Sequence, residues 1–332
     1  MLGWPRIFRV LARALPRDDY AEREVLLRRL QKGKSLNKNS KVSVVGAGQM
    51  GLGIAHAFAV SGFQVSLVDI NAEQLDKAKQ TINAIVAEGI SRGKVDAAVA
   101  ELVRSRLETS QHLEESVKGS DLVIETATES LPTKLKIIEA VDRVVSGDTI
   151  IATNTSALSI TEIAAVARNP ERVIGMHFFN PVHKMKLVEI IKGIATSQPV
   201  VDEVKAWCEA IGKTSIVVNE APGFTTSRMS SLLGNEAMWM LSEGVATAED
   251  IDTSLRMAFN HPMGPLELGD LTGWDTRLAV IKYLHQTLGE KFRPCPLIIK
   301  MVAAGRYGRK VGHGVYKYEN GVKVPNSGLK PY

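Results

Sequence analysis

The chain has 332 residues, 45% of them hydrophobic and 23% charged, which is length for about two domains and excludes collagen-like, disordered and low-complexity classes. Its two cysteines, Cys208 and Cys295, exclude a secreted disulfide framework and point to a reducing compartment; neither lies in a metal-ligand spacing, so no metal is expected. The net charge of +5 belongs to the leading segment: residues 1–40 hold ten of the 41 Lys/Arg and four of the 36 Asp/Glu, leaving 31 bases against 32 acids over residues 41–332. A balanced body makes nucleic acid a poor partner.

In chain order, residues 1–40 are a basic extension. The first seventeen carry Arg6, Arg9, Arg13 and Arg17 and no acid, with Trp4, Ile7, Phe8, Leu11 and Leu15 on one side of a helical wheel. This composition fits a transit peptide for the mitochondrial matrix or a surface-seeking helix. It fits equally an extension docked on its own protein, because Asp18, Asp19, Glu22 and Glu24 follow at once. Cytoplasmic residence is the expectation. Residues 42–68 hold no formal charge over 27 positions, long enough on paper to cross a bilayer. A strand at Val42–Val45, four glycines in Gly46–Gly53, a helical patch at Ile54–Val60 and a second strand at Val65–Val68 explain them better. No integral membrane segment is expected.

Short apolar runs recur at Leu122–Ile124, Thr149–Ala152, Val173–Met176 and Ser215–Val218, separated by helical stretches such as Leu131–Val145 and Gln198–Ile211. Alternating strands and helices predict a mostly parallel sheet. After Ala221-Pro222-Gly223 the strand-like runs nearly stop, and Ser227–Gly244, Ala248–Phe259 and Leu266–Leu288 read as helices. The fold class expected is therefore α/β: a Rossmann-like dinucleotide-binding domain over 41–222, then an all-α C-terminal domain over 223–332.

Gly46-Ala47-Gly48-Gln49-Met50-Gly51 fits G-x-G-x-x-G between a strand and a helix, and Asp69 closes the next strand 23 residues after Gly46. Gly46 permits the tight turn, Gly48 lets the backbone approach a pyrophosphate, and Gly51 allows close helix packing. A carboxylate at Asp69 accepts ribose hydroxyls and repels a 2′-phosphate, which favours NAD over NADP.

Most of the seven histidines have structural or solvated explanations: His56 on the first helix, His112 in a polar loop, His261 before a proline, His285 in a helix and His313 in a glycine-flanked turn. His177 differs, because it ends the run Val173–Met176 on the carboxyl side of a parallel sheet, where ligands bind. The chain then turns through Phe178-Phe179-Asn180-Pro181 and runs back to Glu189. A return path bringing that carboxylate to the imidazole makes the pair needed to accept a hydroxyl proton. A surface ion pair is the competing reading.

Gly46–Gly53, Asp121–Glu125, Asn154-Thr155-Ser156, His177–Glu189, Pro222-Gly223-Phe224 and His261-Pro262-Met263-Gly264-Pro265, in that order over residues 40–318, together resemble the L-3-hydroxyacyl-CoA dehydrogenase family, most nearly its short-chain 3-hydroxybutyryl-CoA branch. The resemblance implies a reaction that interconverts (3S)-3-hydroxyacyl-CoA and 3-ketoacyl-CoA with NAD, as in fatty-acid or butanoate metabolism. It makes His177 the general base, Glu189 its orienting partner, and Ser156 and Asn180 hydrogen-bonding groups at the reacting oxygen or nicotinamide edge. It further places Glu129, Lys134 and Lys310 by the nicotinamide half of the cofactor, with plain surface charge as the alternative for these three. It implies a helical arm at about Asn71–Glu108, with Arg92 and Lys94 meeting coenzyme A phosphates, and a homodimer formed through C-terminal helices bearing Met229, Leu232, Leu233, Met238, Met240 and Leu241.

Three positions depart from the family pattern. Ser227 stands where an asparagine usually faces the substrate carbonyl, which predicts altered acyl-length preference because a hydroxyl reaches less far than an amide. His183 replaces a proline, loosening the turn or adding a titrating group, and Ile85 replaces a polar contact on the arm. Two other readings compete: a dehydrogenase of a non-thioester 3-hydroxy acid, such as carnitine or a sugar acid, and a nucleotide-binding scaffold with a vestigial site.

Overall fold

The computed structural model describes residues 39–330; the amphipathic stretch 1–17, with the rest of the extension to residue 38, lies outside the described residues. Strand β1 (Lys41–Val45) is buried from Val42 onward. It turns through Gly46–Gly48 into α1 (Gln49–Val60), and β2 (Gln64–Val68) follows. The arm is two helices, α2 (Ala72–Ser91), capped by the Asn71 side chain, and α3 (Ala98–Arg106). α3 runs straight into β3 (Leu107–Ser110), which pairs in parallel with β2. The expected arm over 71–108 thus ends in a strand. Leu-Glu-Thr-Ser is too short and polar to show a strand by pattern, and pairing to β2 decides it.

Next come α4 (Leu113–Val117), β4 (Leu122–Glu125), α5 (Leu131–Val144), β5 (Ile150–Thr153), α6 (Ile160–Ala164), β6 (Val173–Phe178), β7 (Leu187–Lys192), α7 (Gln198–Ala210) and β8 (Thr214–Asn219). The eight strands form one sheet in the order β3-β2-β1-β4-β5-β6-β7-β8, parallel at every pairing except β6 with β7. In that antiparallel pair His177 lies directly opposite Glu189. Connections leave β1 in opposite directions toward β2 and β4, which opens a crevice at the carboxyl ends of the strands.

Helices cover both sheet faces, so β1, β4, β5 and β6 carry continuous buried runs, the pattern of strands with no water on either side. Phe58, Ile82, Ile124 and Trp207 belong to the core on one face, and Val123, Ile138, Val141 and Ile163 to that on the other. No described helix is long and apolar enough to cross a membrane.

The second lobe begins with α8 (Thr226–Ser242), followed by α9 (Ala248–Phe259), α10 (Pro265–Thr272), α11 (Trp274–Leu288) and α12 (Pro296–Ala303). The helix expected over Leu266–Leu288 is two, broken at Gly273, whose φ of +95° no other residue adopts comfortably. The lobe is also not all helix: β9 (Tyr318–Glu319) and β10 (Val322–Lys323) close a small antiparallel hairpin, invisible to periodicity at two residues a strand. Buried Asp270 anchors this tail, accepting from Val315 N (2.7 Å), Tyr316 N (2.8 Å) and Trp274 Nε1 (2.7 Å). Buried Asp252 accepts from Leu266 N and Tyr316 Oη, both at 2.7 Å. Burial raises both carboxyl pKa values, against the pull of these donors.

Candidate active site

The crevice at the ends of β1, β2 and β4 holds a cleft of about 560 Å³ lined by Gly46, Gly48, Gln49, Met50, Asp69 and Thr126, among others. Gly46 has φ +106°, and a Cβ there would sit 2.9 Å from the Thr126 backbone; one on Gly51 would sit 1.7 Å from Gly46 O. Neither position admits a side chain. A Cβ on Gly48 would meet nothing within 4 Å, so that bare backbone opens on the cleft at the start of α1, where N–H groups and the helix dipole favour an anion. Ala47 N (2.7 Å) and Asn71 N (2.9 Å) hold the Asp69 carboxylate at the rim. Open backbone, helix terminus and acid fit a dinucleotide with an unphosphorylated ribose. Ile70, 91% exposed, adds apolar lining that motif reading missed; only its exposure signals it.

At the end of β4, Lys134 and Glu125 are both fully buried. Lys134 Nζ donates to Glu125 Oε1 (3.0 Å) and Oε2 (2.9 Å), and the carboxylate also accepts from Ala127 N and Thr153 Oγ1, both 2.6 Å. Surface charge is therefore the wrong reading of Lys134. Burial of both ions is tolerable because each has several partners. Lys134 also lies 3.7 Å from Glu129, whose Oε1 accepts from Thr155 Oγ1 (2.6 Å), Ser156 N (2.9 Å) and Ser156 Oγ (3.1 Å). Three predicted residues, Lys134, Glu129 and Ser156, thus form one chain of contacts. Glu125 was missed as a site partner, though it stands in the Asp121–Glu125 run.

His177 is the penultimate residue of β6, with 8% exposure, its ring packed 4.5 Å from Phe179 and 6.0 Å from Phe224 between centroids. Nδ1 lies 2.7 Å from Glu189 Oε2. Glu189, fully buried, also accepts from Thr226 N (3.0 Å), Thr226 Oγ1 (3.0 Å), Thr225 N (3.3 Å) and Thr225 Oγ1. Burial alone would raise its pKa, but hydrogen bonds from His177, Thr225 and Thr226 and the imidazole charge hold it down at about 2. With the carboxylate ionised, Nδ1 must be the donor, so in the neutral imidazole the lone pair is on Nε2. Thr225 and Thr226, at the start of α8, were not singled out in the sequence; two hydroxyls directly after Pro222-Gly223-Phe224 were the available signal.

Other predicted residues fall around this pair. Phe178 N donates to Asn154 Oδ1 (2.8 Å), tying the ends of β6 and β5 together. Asn180 is exposed in the turn after β6, and Ser227 is half-buried in the first turn of α8. His183 lies in a turn tied down by Lys213 Nζ, which donates to Val182 O (2.5 Å) and Met185 O (2.6 Å). Desolvation and neighbouring Lys184 and Lys213 lower the His183 pKa, against Glu88. Lys310 is not joined to the sheet-end groups: Nζ pairs with Asp275 Oδ2 at 2.6 Å and sits over Tyr307, all within the helical lobe. Arg92 and Lys94 are exposed in the arm, Arg92 paired to Glu88 at 2.6 Å.

This fold is that of a dinucleotide-binding sheet with an appended helical lobe. Family models described as "3-hydroxyacyl-CoA dehydrogenase, NAD binding domain" and "3-hydroxyacyl-CoA dehydrogenase, C-terminal domain" match residues 41–221 and 223–318. A probable 3-hydroxybutyryl-CoA dehydrogenase of Bacillus subtilis is 45% identical over 280 residues, 84% of this chain and 97% of that protein. The 3-hydroxybutyryl-CoA dehydrogenase of Bradyrhizobium diazoefficiens is 42% identical over 286 residues, 86% and 97% of the two chains. Among solved structures, the (S)-3-hydroxybutyryl-CoA dehydrogenase of Ralstonia eutropha aligns with a TM-score of 0.82 at 42% identity, covering 85% of this chain and 100% of that one. The chain belongs to the 3-hydroxyacyl-CoA dehydrogenase family, and it is an NAD-dependent 3-hydroxyacyl-CoA oxidoreductase.

Proposed function

We propose that the chain interconverts (3S)-3-hydroxybutyryl-CoA and acetoacetyl-CoA, with His177 as its acid–base group. The carrying observation is the imidazole held by a buried, ionised Glu189 at 2.7 Å, which puts the lone pair of the neutral ring on Nε2. NAD, when bound, supplies the hydride acceptor. In oxidation His177 Nε2 takes the 3-hydroxyl proton, and Glu189 stabilises the resulting imidazolium; in reduction that cation returns the proton to the ketone oxygen. Ser156 and Asn180 orient the reacting oxygen, and Ser227 donates to the substrate carbonyl. Gly46, Gly48, Gln49, Met50, Gly51 and Asp69 hold the nucleotide, and the Glu129–Lys134 contact fixes the carboxyl end of the sheet beside its nicotinamide half. Lys310 enters this scheme only through Asp275 and the helical lobe.

The lobes divide the labour near residue 222: the first binds the dinucleotide, and the second completes the substrate site and pairs two copies. Met229, Leu232 and Leu233 on α8 and Met257 and Phe259 on α9 are exposed apolar residues, the kind of surface a homodimer covers; Met238 and Leu241 instead fill the core of the lobe. Arg92 and Lys94 attract the phosphates of the acyl-CoA. Cytoplasmic residence is supported by two free, buried thiols; burial pushes that of Cys208 up to about 12.

The test is NADH oxidation with acetoacetyl-CoA against free acetoacetate. Turnover of the thioester alone is expected, falling by about 10²–10⁴-fold in His177→Ala while NADH binding, read by fluorescence, persists. Equal use of the free acid, or full activity in His177→Ala, would refute the assignment.

A further inference from the structure

A second, smaller cavity of about 130 Å³ lies where the loop after Ser156 meets the start of the helical lobe, lined by Ala157, Leu158, Glu220, Pro222, Phe224 and Tyr283, among others. It flanks the acid–base pair. Phe224 lines it and packs 6.0 Å from the His177 ring, and Ala157 and Leu158 directly follow Ser156. The cavity thus borders the surroundings of His177 through Phe224 and through the loop that follows Ser156.

The walls of that cavity are fixed. Glu220 accepts from Ser159 Oγ (2.6 Å), Thr161 N (2.7 Å) and Thr161 Oγ1 (2.8 Å), bolting the start of the helical lobe to α6. A Cβ on Gly223 would come within 3.0 Å of Leu284 Cδ2, so α11 is seated tightly on the turn and presents Tyr283 to the cavity. Tyr283, 37% exposed, is its large wall from the helical lobe. The volume is small: a cavity of about 150 Å³ accommodates a six-carbon ring, and pockets for drug-sized ligands run to about 300–1,000 Å³.

We propose that this cavity receives the acyl end of the substrate and that Tyr283 sets the chain length accepted, making it a specificity-determining residue on α11. The inference rests on the assignment of His177 above. Tyr283 closes the path past C4; a smaller residue there opens it toward solvent and longer chains.

The experiment is kcat/KM for acetoacetyl-CoA, 3-ketohexanoyl-CoA and 3-ketooctanoyl-CoA with NADH, in wild type, Tyr283→Ala and Leu158→Phe. Tyr283→Ala is expected to raise the eight-carbon to four-carbon ratio by about tenfold or more, the scale on which a methylene is discriminated in an apolar pocket, with KM for NADH unmoved. Leu158→Phe, which fills the cavity from the facing wall, is expected to lower the six-carbon to four-carbon ratio, and it decides the matter if Tyr283→Ala does not fold. Ratios unchanged in the folded variants, or rates falling equally for all three substrates, would overturn the proposal. Wild type that fails to turn over acetoacetyl-CoA points to the reaction assignment instead.

Discussion

The carboxyl end of the sheet and the tip of the helical arm both carry charged residues predicted to meet ligand, yet they are built on opposite plans. At the sheet end Glu189, Glu125 and Lys134 have no exposure and His177 has 8%, and each ion has two or more fixed partners. At the arm tip Arg92 is exposed and pairs with Glu88 one helical turn away, and Lys94 is exposed in the turn that follows. Buried, multiply bonded charge is expensive to disturb and holds atoms within the tolerance that proton transfer needs. Exposed charge costs little to move, is screened by salt, and suits the flexible polyanionic end of a coenzyme.

Substitutions on the two sides break or sharpen this contrast, and their effects are expected to descend in a set order. Lys134→Met leaves the Glu125 carboxylate buried without its cation and is expected to cost about 3–5 kcal/mol, read as a fall in the urea midpoint; a midpoint like wild type would mean that water reaches the pair. Glu189→Gln keeps the shape but loses the charge that orients and supports the imidazolium, so kcat is expected to drop about 10²-fold or more with KM little changed. The same variant tests linkage. The Glu189 pKa is depressed from 4.5 to about 2, so its stabilisation is full above about pH 4.5 and is lost as pH falls toward 2; Glu189→Gln should unfold with a shallower acid dependence across that window. Ser227→Ala is expected to shift the ratio of four-carbon to eight-carbon rates by up to about tenfold, the worth of one hydrogen bond, and identical kinetics at every length would remove Ser227 from the site. Arg92→Ala is expected to have the smallest effect, raising KM for acyl-CoA a few-fold at low salt and almost not at all at high salt.

Legibility from sequence followed the range of the interaction. The glycine turn was readable because its steric demands involve atoms a few residues apart, as at Gly51 against Gly46 O. The His177–Glu189 pair was readable because a short connection, residues 179–186, returns β7 along β6 in register. Lys134 was ambiguous, since nothing within α5 tells a lysine whether Glu125 waits beneath it. Thr225 and Thr226 were missed because they lie on the next lobe, and the break at Gly273 was missed because an apolar pattern continues across it.

Composition, hydrophobic alternation and the Gly46–Asp69 spacing determined a parallel dinucleotide-binding sheet followed by helices, since these depend on local conformation and on which side chains avoid water. Which charges are buried, which hydroxyls hold Glu189 and which helix walls the cavity beside His177 were decided only when distant segments packed, because a side chain's energy there depends on partners that its neighbours in the chain do not specify.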